Sequence, residues 1–124
     1  MMKPLHILVV DDKKVIGDYF NLTLGHYGHH ISVAHDLPQA LDAVKKEGFD
    51  IAFMDMMMPG VNGVKVLEEI KALVPGLPVV MMSGFILDDM RTRAQSLGAV
   101  DFLKKPFEVD DIRRVVKNVI GHEI

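Results

Sequence analysis

The feature that most limits the fold of this chain is a strict alternation of short apolar runs with segments of helical periodicity. The clearest run, Ile51 to Met54, is apolar at every position, which is typical of a parallel strand covered on both faces. Strand and helix in strict alternation imply right-handed crossovers between parallel strands. The sequence therefore predicts a doubly wound α/β sandwich.

The strands are predicted at the apolar runs, and the helices at the segments between them. A domain of this size with such repeats is expected to be flavodoxin-like, a (βα)5 sandwich whose five-stranded parallel sheet has the order 2-1-3-4-5. The predicted strands are Leu5–Val10, His30–His35, Ile51–Asp55, Val79–Met82 and Val100–Leu103. The predicted helices are Val15–Leu24, Leu37–Val44, Val66–Val74, Leu87–Leu97 and Ile112–Ile120. In the first helix, an apolar stripe is predicted at Val15, Tyr19 and Leu22, widened by Ile16 and Phe20.

Length and composition narrow the class of protein. The 124 residues are expected to form one domain, residues 1–124, with a single core. A net charge of -3 gives no basic field, so direct binding to nucleic acid or to a membrane surface is not expected. The absence of cysteine excludes disulfides and thiolate catalysis, and no apolar run has the ~20 residues that cross a bilayer. The cytoplasm is the expected location.

Polar side chains follow the strands that should meet at one edge of the sheet. Asp11 and Asp12 follow the first strand, Asp55 ends the third, Ser83 follows the fourth and Lys105 the fifth. In open parallel sheets, ligands bind in the crevice outside the carboxyl ends of the strands. We therefore expect these side chains to surround one crevice.

Three converging carboxylates indicate a site for a hard cation. Without a cation they would repel one another and raise each other's pKa. Magnesium takes oxygen ligands and is commonly held by one or two carboxylates together with phosphate oxygens. Ser83 and Lys105 then complete a cradle for a phosphoryl group. Asp55 stands alone on a central strand, so it is the better candidate for a nucleophile that forms an acyl phosphate.

The order and spacing of these motifs resemble the receiver domain of two-component response regulators. The family pattern is an acidic pair after strand one, Asp-x-x-Met-Pro-x-x-x-Gly, a Ser or Thr after strand four, an aromatic residue on strand five, and Lys-Pro. The resemblance spans nearly the whole chain. The matching residues are Asp11-Asp12, Asp55-Met56-Met57-Met58-Pro59 with Gly63, Ser83-Gly84, Phe102, and Lys105-Pro106-Phe107.

The resemblance implies a role for each of these residues. Asp55 would accept a phosphoryl group from a phosphohistidine, and Ser83 and Lys105 would bind the phosphoryl oxygens. Phe102 would turn inward as Ser83 moves, and the Lys105–Pro106 peptide bond is expected to be cis. The implied ligands of Mg²⁺ are Asp12, Asp55, the backbone carbonyl of Met57 and, through water, Asp11.

The resemblance also implies the partners. A sensor histidine kinase or a phosphotransfer protein would supply the phosphoryl group. A downstream protein or an output domain would bind the surface formed by helix four, strand five and helix five, and a homodimer is left open. The domain would act as a phosphoacceptor that catalyses only its own phosphotransfer and dephosphorylation, and not as an enzyme on other substrates.

The sequence departs from the common pattern of the family in three places. Lys13 and Lys14 follow the acidic pair and bring positive charge close to the cation site. Phe102 has no phenolic hydroxyl to donate. Met57 stands where relatives often have a polar residue that orients the hydrolytic water. We expect these departures to alter rates and not to abolish function.

Structural explanations exist for several of these residues. Asp12 and Ser83 could cap the helices that follow them, a role compatible with the functional one. Lys104 is interpreted as a solvated residue at a strand end. The methionines are assigned to core filling, and the six histidines to the surface, because their spacing matches no metal site.

Other functions fit the residues less well. A phosphatase with an aspartate nucleophile would need Asp-x-Asp after the first strand, where this chain has Asp11-Asp12-Lys13. A flavin-binding module would need a phosphate loop there, and the carboxylates would repel the flavin phosphate. The remaining alternative is a receiver-like interaction module whose phosphorylation site is little used.

Overall fold

The computed structural model contains one parallel sheet of the predicted order. It describes residues 3–85 and 88–121, with the backbone alone at Val61. The order is β2-β1-β3-β4-β5, and every neighbouring pair is parallel, which confirms the predicted topology. The strands are β1 (His6–Val10), β2 (His30–Ala34), β3 (Ile51–Asp55), β4 (Val79–Ser83) and β5 (Ala99–Lys104).

The helices follow their strands as predicted, with ends that differ by a few residues. They are α1 (Lys14–Thr23), α2 (Leu37–Lys46), α3 (Gly63–Leu73), α4 (Asp88–Ser96) and α5 (Val109–Ile120). The predicted start of the fourth helix, Leu87, lies outside the described residues. No described helix combines the length and the apolarity needed to cross a membrane.

The central strands are apolar throughout because each of their faces packs into a separate core. Leu8 and Val10 of β1 join one core, which contains Met54 and Met81. The intervening residue Val9 joins the other core, on the opposite face of the sheet. The side chains on both faces of the strand are therefore buried, as its uninterrupted apolar sequence predicted.

The buried face of α1 differs from the apolar stripe read from the sequence. Val15 and Leu22 belong to that stripe, yet they are 66% and 75% exposed. Phe20 is completely buried, and Gly17 lies against the sheet. A Cβ at Gly17 would come within 2.9 Å of the methyl groups of Val33, so only glycine lets the helix approach β2 this closely. The helix rotates toward its smallest residue and leaves Val15 and Leu22 in solvent.

Two further details differ from the sequence predictions. The turn after β3 contains a small antiparallel hairpin, Met57–Met58 with Val61–Asn62, and Asn62 then caps α3 by accepting the Val64 N–H at 2.9 Å. The assignment of His29 to the surface was wrong. His29 is buried, its Nδ1 accepts the Leu5 N–H at 3.0 Å, and burial lowers the pKa of its imidazole.

Candidate functional site

The strand ends bring the predicted polar residues to one edge of the sheet. The register pairs Asp55 with Met82 on β4, and Ser83 with Lys104 on β5, so Lys105 comes next to these ends. Asp11, Asp55 and Ser83 are among the few buried polar residues of the described chain, with 0%, 3% and 2% exposure. Polar groups are buried at this depth only when they have partners or a ligand.

Lys105 provides the positive charge inside the crevice. Its Nζ lies 2.7 Å from Oδ2 of Asp11 and 3.4 Å from Oδ1 of Asp55. Its backbone N–H donates to the Ser83 carbonyl at 2.9 Å, which keeps it in line with β5. The Lys105–Pro106 peptide bond is cis, as the resemblance implied. A lysine that bridges two buried carboxylates compensates charges that would otherwise be costly to bury.

The three carboxylates fit a hard divalent cation. One oxygen of each of Asp11, Asp12 and Asp55 lies within 4.8 Å of the others. Oδ1 of Asp12 is buried and has no hydrogen-bond partner within the described chain. A buried carboxylate oxygen without a donor is unfavourable unless a cation binds it. The three carboxylates therefore fit Mg²⁺, which prefers oxygen ligands and keeps several of its bound waters.

The electrostatic environment of Asp55 has opposing contributions. Burial raises the pKa of its carboxyl above the ordinary value, and the Met57 N–H, which donates to Oδ1 at 3.2 Å, lowers it. The negative charge of Asp11 raises this pKa, and Lys105 lowers it. The net direction is upward, so the carboxyl holds its proton more tightly than a solvated aspartic acid does.

Ser83 forms a local turn at the end of β4. Its hydroxyl donates to the Phe85 carbonyl at 2.9 Å and accepts the Phe85 N–H at 3.1 Å. It does not cap α4, because Gly84 and Phe85, which follow it directly, form a bend and not a helical turn. Asp12 likewise is not the capping residue of α1, where Lys13 occupies the N-cap position. Both capping interpretations were wrong.

Phe102 lies partly buried on β5, beneath an arginine of α4. The guanidinium carbon of Arg91 is 4.5 Å from the centre of the Phe102 ring, the geometry of a cation–π contact. Arg91 was not among the residues predicted from the sequence. Nothing in the local pattern could have identified it, because the contact joins residues on two elements whose side-chain directions only the packed structure fixes.

An apolar cavity of about 620 Å³ adjoins the carboxylates. Met57, two residues past Asp55, and Phe85, two residues past Ser83, both line it together with Asp55, and they are 65% and 72% exposed. The crevice therefore has a charged, buried side and an apolar, exposed side. α1 and the segment after β5 contribute further residues of the cavity wall, among them Ile16, Tyr19, Pro106 and Phe107.

Known proteins are similar to this chain in sequence and in fold. The family model described as the response regulator receiver domain matches residues 7–117. Sporulation initiation phosphotransferase F of Bacillus subtilis is 34% identical over 114 residues, which cover 92% of each protein. The receiver domain of NtrX from Brucella abortus is 35% identical, with a TM-score of 0.85 over 94% of this chain and 99% of that one.

Several curated relatives are longer than this chain. The transcriptional regulatory protein FixJ of Bradyrhizobium diazoefficiens is 34% identical over 115 residues, which cover 93% of this chain and 56% of that protein. Another transcriptional regulatory protein is matched over 27% of its length. In each case more than nine tenths of this chain is matched, and the family model alone spans most of it. The chain therefore belongs to the response regulator receiver domain family.

Proposed function

We propose that this domain accepts a phosphoryl group on Asp55 from the phosphohistidine of a histidine kinase or a phosphotransfer protein. The observation that carries the proposal is the position of Asp55: a buried carboxylate at the end of the central strand, 3.4 Å from Lys105 and grouped with Asp11 and Asp12. A nucleophile beside a fixed cationic group and a carboxylate cluster is suited to phosphoryl transfer.

In the transfer step, a carboxylate oxygen of Asp55 attacks phosphorus. The new P–O bond forms as the P–N bond to the donor imidazole breaks, and the imidazole leaves with the electron pair. Lys105 turns from Asp11 toward the phosphoryl oxygens, which its ammonium group stabilises as charge develops on them. Ser83 exchanges its bond to the Phe85 carbonyl for one to a phosphoryl oxygen.

Asp11, Asp12, Asp55 and the backbone carbonyl of Met57 would hold Mg²⁺. When bound, the cation neutralises charge on the phosphoryl oxygens and permits an anionic donor to approach the carboxylates. The buried Oδ1 of Asp12, which has no donor within the described residues, supports this assignment. The charge of Lys13, next to the acidic pair, would also attract the incoming phosphoryl group.

Phosphorylation would be transmitted through Ser83 and Phe102. As Ser83 moves to the phosphoryl group, Phe102 turns inward and changes the surface of α4, β5 and α5. That surface would bind a downstream protein, an output domain or a second copy of this chain. The domain would act in the cytoplasm as a phosphoacceptor, without turnover of other substrates.

A receiver-like interaction module with a little-used phosphorylation site is the second candidate. The observation in its favour is the exposed apolar rim of the crevice, where Val15, Met57 and Phe85 are all more than half exposed. Such a rim could bind a partner without phosphoryl transfer. The two functions differ in whether Asp55 is labelled at a useful rate.

Mass spectrometry after incubation with a small phosphodonor and Mg²⁺ tests the proposal. We expect one phosphoryl group per chain, on Asp55, and no label in the presence of a chelator. Asp55→Asn should remove the label without unfolding the domain. Asp50→Asn is the matched control, since Asp50 lies at the other end of β3 and accepts the His6 N–H at 2.8 Å. A label that persists in Asp55→Asn, or an unlabelled wild type, would contradict the assignment.

A further inference from the structure

The methionines of this chain differ sharply in exposure. Met57 is 65% exposed, whereas its neighbours Met56 and Met58 are 1% and 6% exposed. Met54, Met81 and Met82 are completely buried in the two cores. A soluble oxidant reaches an exposed thioether far more easily than one that is enclosed by packed side chains. The structure therefore presents Met57 to such an oxidant and protects the methionines that surround it in sequence.

Met57 is also positioned to influence the chemistry of Asp55. Its N–H donates to Oδ1 of Asp55 at 3.2 Å, and its side chain lines the cavity that contains Asp55 and Ser83. The same side chain borders a second groove, toward Met90 of α4. Because the side chain is mostly in solvent, a change in its polarity would not disturb the core.

We propose that Met57 is a site of reversible oxidation to methionine sulfoxide by peroxide-class oxidants, and that the sulfoxide shortens the lifetime of phosphorylated Asp55. The second half rests on the function proposed above. In the oxidation, a sulfur lone pair attacks one oxygen of hydrogen peroxide. The S–O bond forms, the O–O bond breaks, and the departing oxygen leaves as water after proton transfer. Sulfur loses two electrons and the peroxide gains them. A thiol-dependent sulfoxide reductase reverses the change.

The sulfoxide would act by binding water. A thioether is a weak hydrogen-bond acceptor, and the apolar side chain shields the phosphoryl group from solvent. The sulfoxide oxygen accepts strong hydrogen bonds at the same place. A water held there would lie beside the phosphorylated carboxylate, where hydrolysis needs its nucleophile. Oxidation would thus convert a shield into a group that orients water.

The first experiment measures selectivity and does not depend on phosphorylation. The purified protein is treated with dilute hydrogen peroxide, and the initial rate of sulfoxide formation at each methionine is measured by peptide mass spectrometry. We expect Met57 to react at least about tenfold faster than Met54, Met56 and Met81. Met57→Leu keeps the size and the apolar character, and its remaining methionines should react at unchanged rates. Equal rates at Met57 and Met56 would overturn the proposal.

The second experiment measures the lifetime of the phosphorylated protein before and after oxidation. We expect the oxidised wild type to lose its phosphoryl group at least about threefold faster in Mg²⁺ buffer, and treatment with the reductase to restore the slow decay. Whatever its own decay rate, phosphorylated Met57→Leu should decay equally fast with and without peroxide. Selective oxidation that leaves the decay unchanged would overturn the proposal. A wild type that is never phosphorylated would instead refute the proposed function, and the oxidation rates would still be measurable.

Discussion

The two sides of the crevice are held by different kinds of contact. On the side of β1 and β3, Asp11 and Asp55 are buried and share Lys105, which comes from a distant part of the sequence. On the side of β4 and β5, the hydroxyl of Ser83 bonds, within the described residues, only to Phe85, two residues away. Phe102, on β5, is covered by the exposed Arg91.

In the proposed function, this difference separates the residues that transfer the phosphoryl group from those that transmit its effect. Removing one partner of a buried ion pair costs about 3–5 kcal/mol, since a charge is left buried and unpaired. An exposed cation–π contact contributes only about 0.5–1 kcal/mol. The carboxylate side is therefore the more rigid of the two, and the Ser83–Phe102 side can rearrange at small cost.

The largest effect on phosphorylation is expected from a substitution of Lys105, which pairs with the buried carboxylates of Asp11 and Asp55. Lys105→Ala should slow phosphorylation by on the order of a hundredfold, because the phosphoryl oxygens lose a cationic partner. Without metal the variant should also unfold at a lower temperature, since Asp11 remains buried and unpaired. Mg²⁺ should bind at least as tightly as in the wild type and restore much of that stability. The measurements are initial labelling rates and thermal unfolding with and without Mg²⁺.

Lys104→Ala is the matched control for Lys105. Lys104 is the exposed neighbour at the end of β5 and takes no part in the ion pairs of the crevice. Its loss should change neither the labelling rate nor the response to Mg²⁺. Equal behaviour of the two variants would mean that Lys105 is only a solvated surface charge.

Met57 tests the apolar rim. We predict slow self-dephosphorylation of the wild type, and about tenfold faster decay when Met57 is replaced by Asn or Glu, whose polar groups can position the attacking water. Met57→Leu should leave the decay slow. The decay of purified phosphoprotein in Mg²⁺ buffer measures this effect. Unchanged or slower decay with the polar side chains would place control of the lifetime elsewhere.

A substitution of Arg91 tests the side of the crevice that contains Ser83 and Phe102. Arg91→Gln removes the cation above Phe102, so the ring should turn inward more readily, and phosphorylation by a small donor should rise about two- to fivefold. Arg93→Gln makes the same charge change on the same helix and should have no such effect. In a Phe102→Leu background, Arg91→Gln should lose its effect. If phosphorylation still rises in that background, the effect of Arg91→Gln comes from the lost charge alone and not from the Phe102 ring.

The smallest expected effect is on stability. The raised pKa of Asp55 means that its ionised form is disfavoured in the folded state. This destabilisation is fully present above the folded pKa and disappears as the pH falls below the unfolded value. Asp55→Asn should therefore raise Tm slightly in metal-free buffer near neutral pH, and the difference should shrink in acid. Asp50→Asn provides the control. A lower Tm for Asp55→Asn near neutral pH would contradict this reading.

That the sheet is parallel and that these polar residues meet at one edge of it was predictable from the sequence, whereas the strand order was only the one expected for a domain of this size. Apolar runs such as Ile51–Met54 are buried on both faces, and their ends meet at one edge whatever the details of packing. Asp11, Asp55, Ser83 and Lys105 follow directly from where those runs stop. The Lys105–Pro106 cis bond followed from the family resemblance and not from any pattern of residues.

The contacts that set the resting state of the site depended on tertiary structure. The sequence places Lys105 in the crevice, but whether its ammonium group lies nearer Asp11 or Asp55 depends on distances of less than an ångström. The hydroxyl of Ser83 could point in several directions, and only the turn at Phe85 decides among them. These choices depend on side-chain rotamers, which the order of residues does not determine.

The orientation of α1 gives the clearest physical reason for this division. Periodicity correctly predicted a helix there, because apolar residues recur at helical spacing. It did not predict which face is buried, since Val15 and Leu22 are as apolar as the residues that pack inside. The close approach at Gly17 decides the rotation, and that depends on Val33 of β2. A local pattern fixes the type of element, and contacts between distant residues fix which side of it meets the core and which remains available to partners.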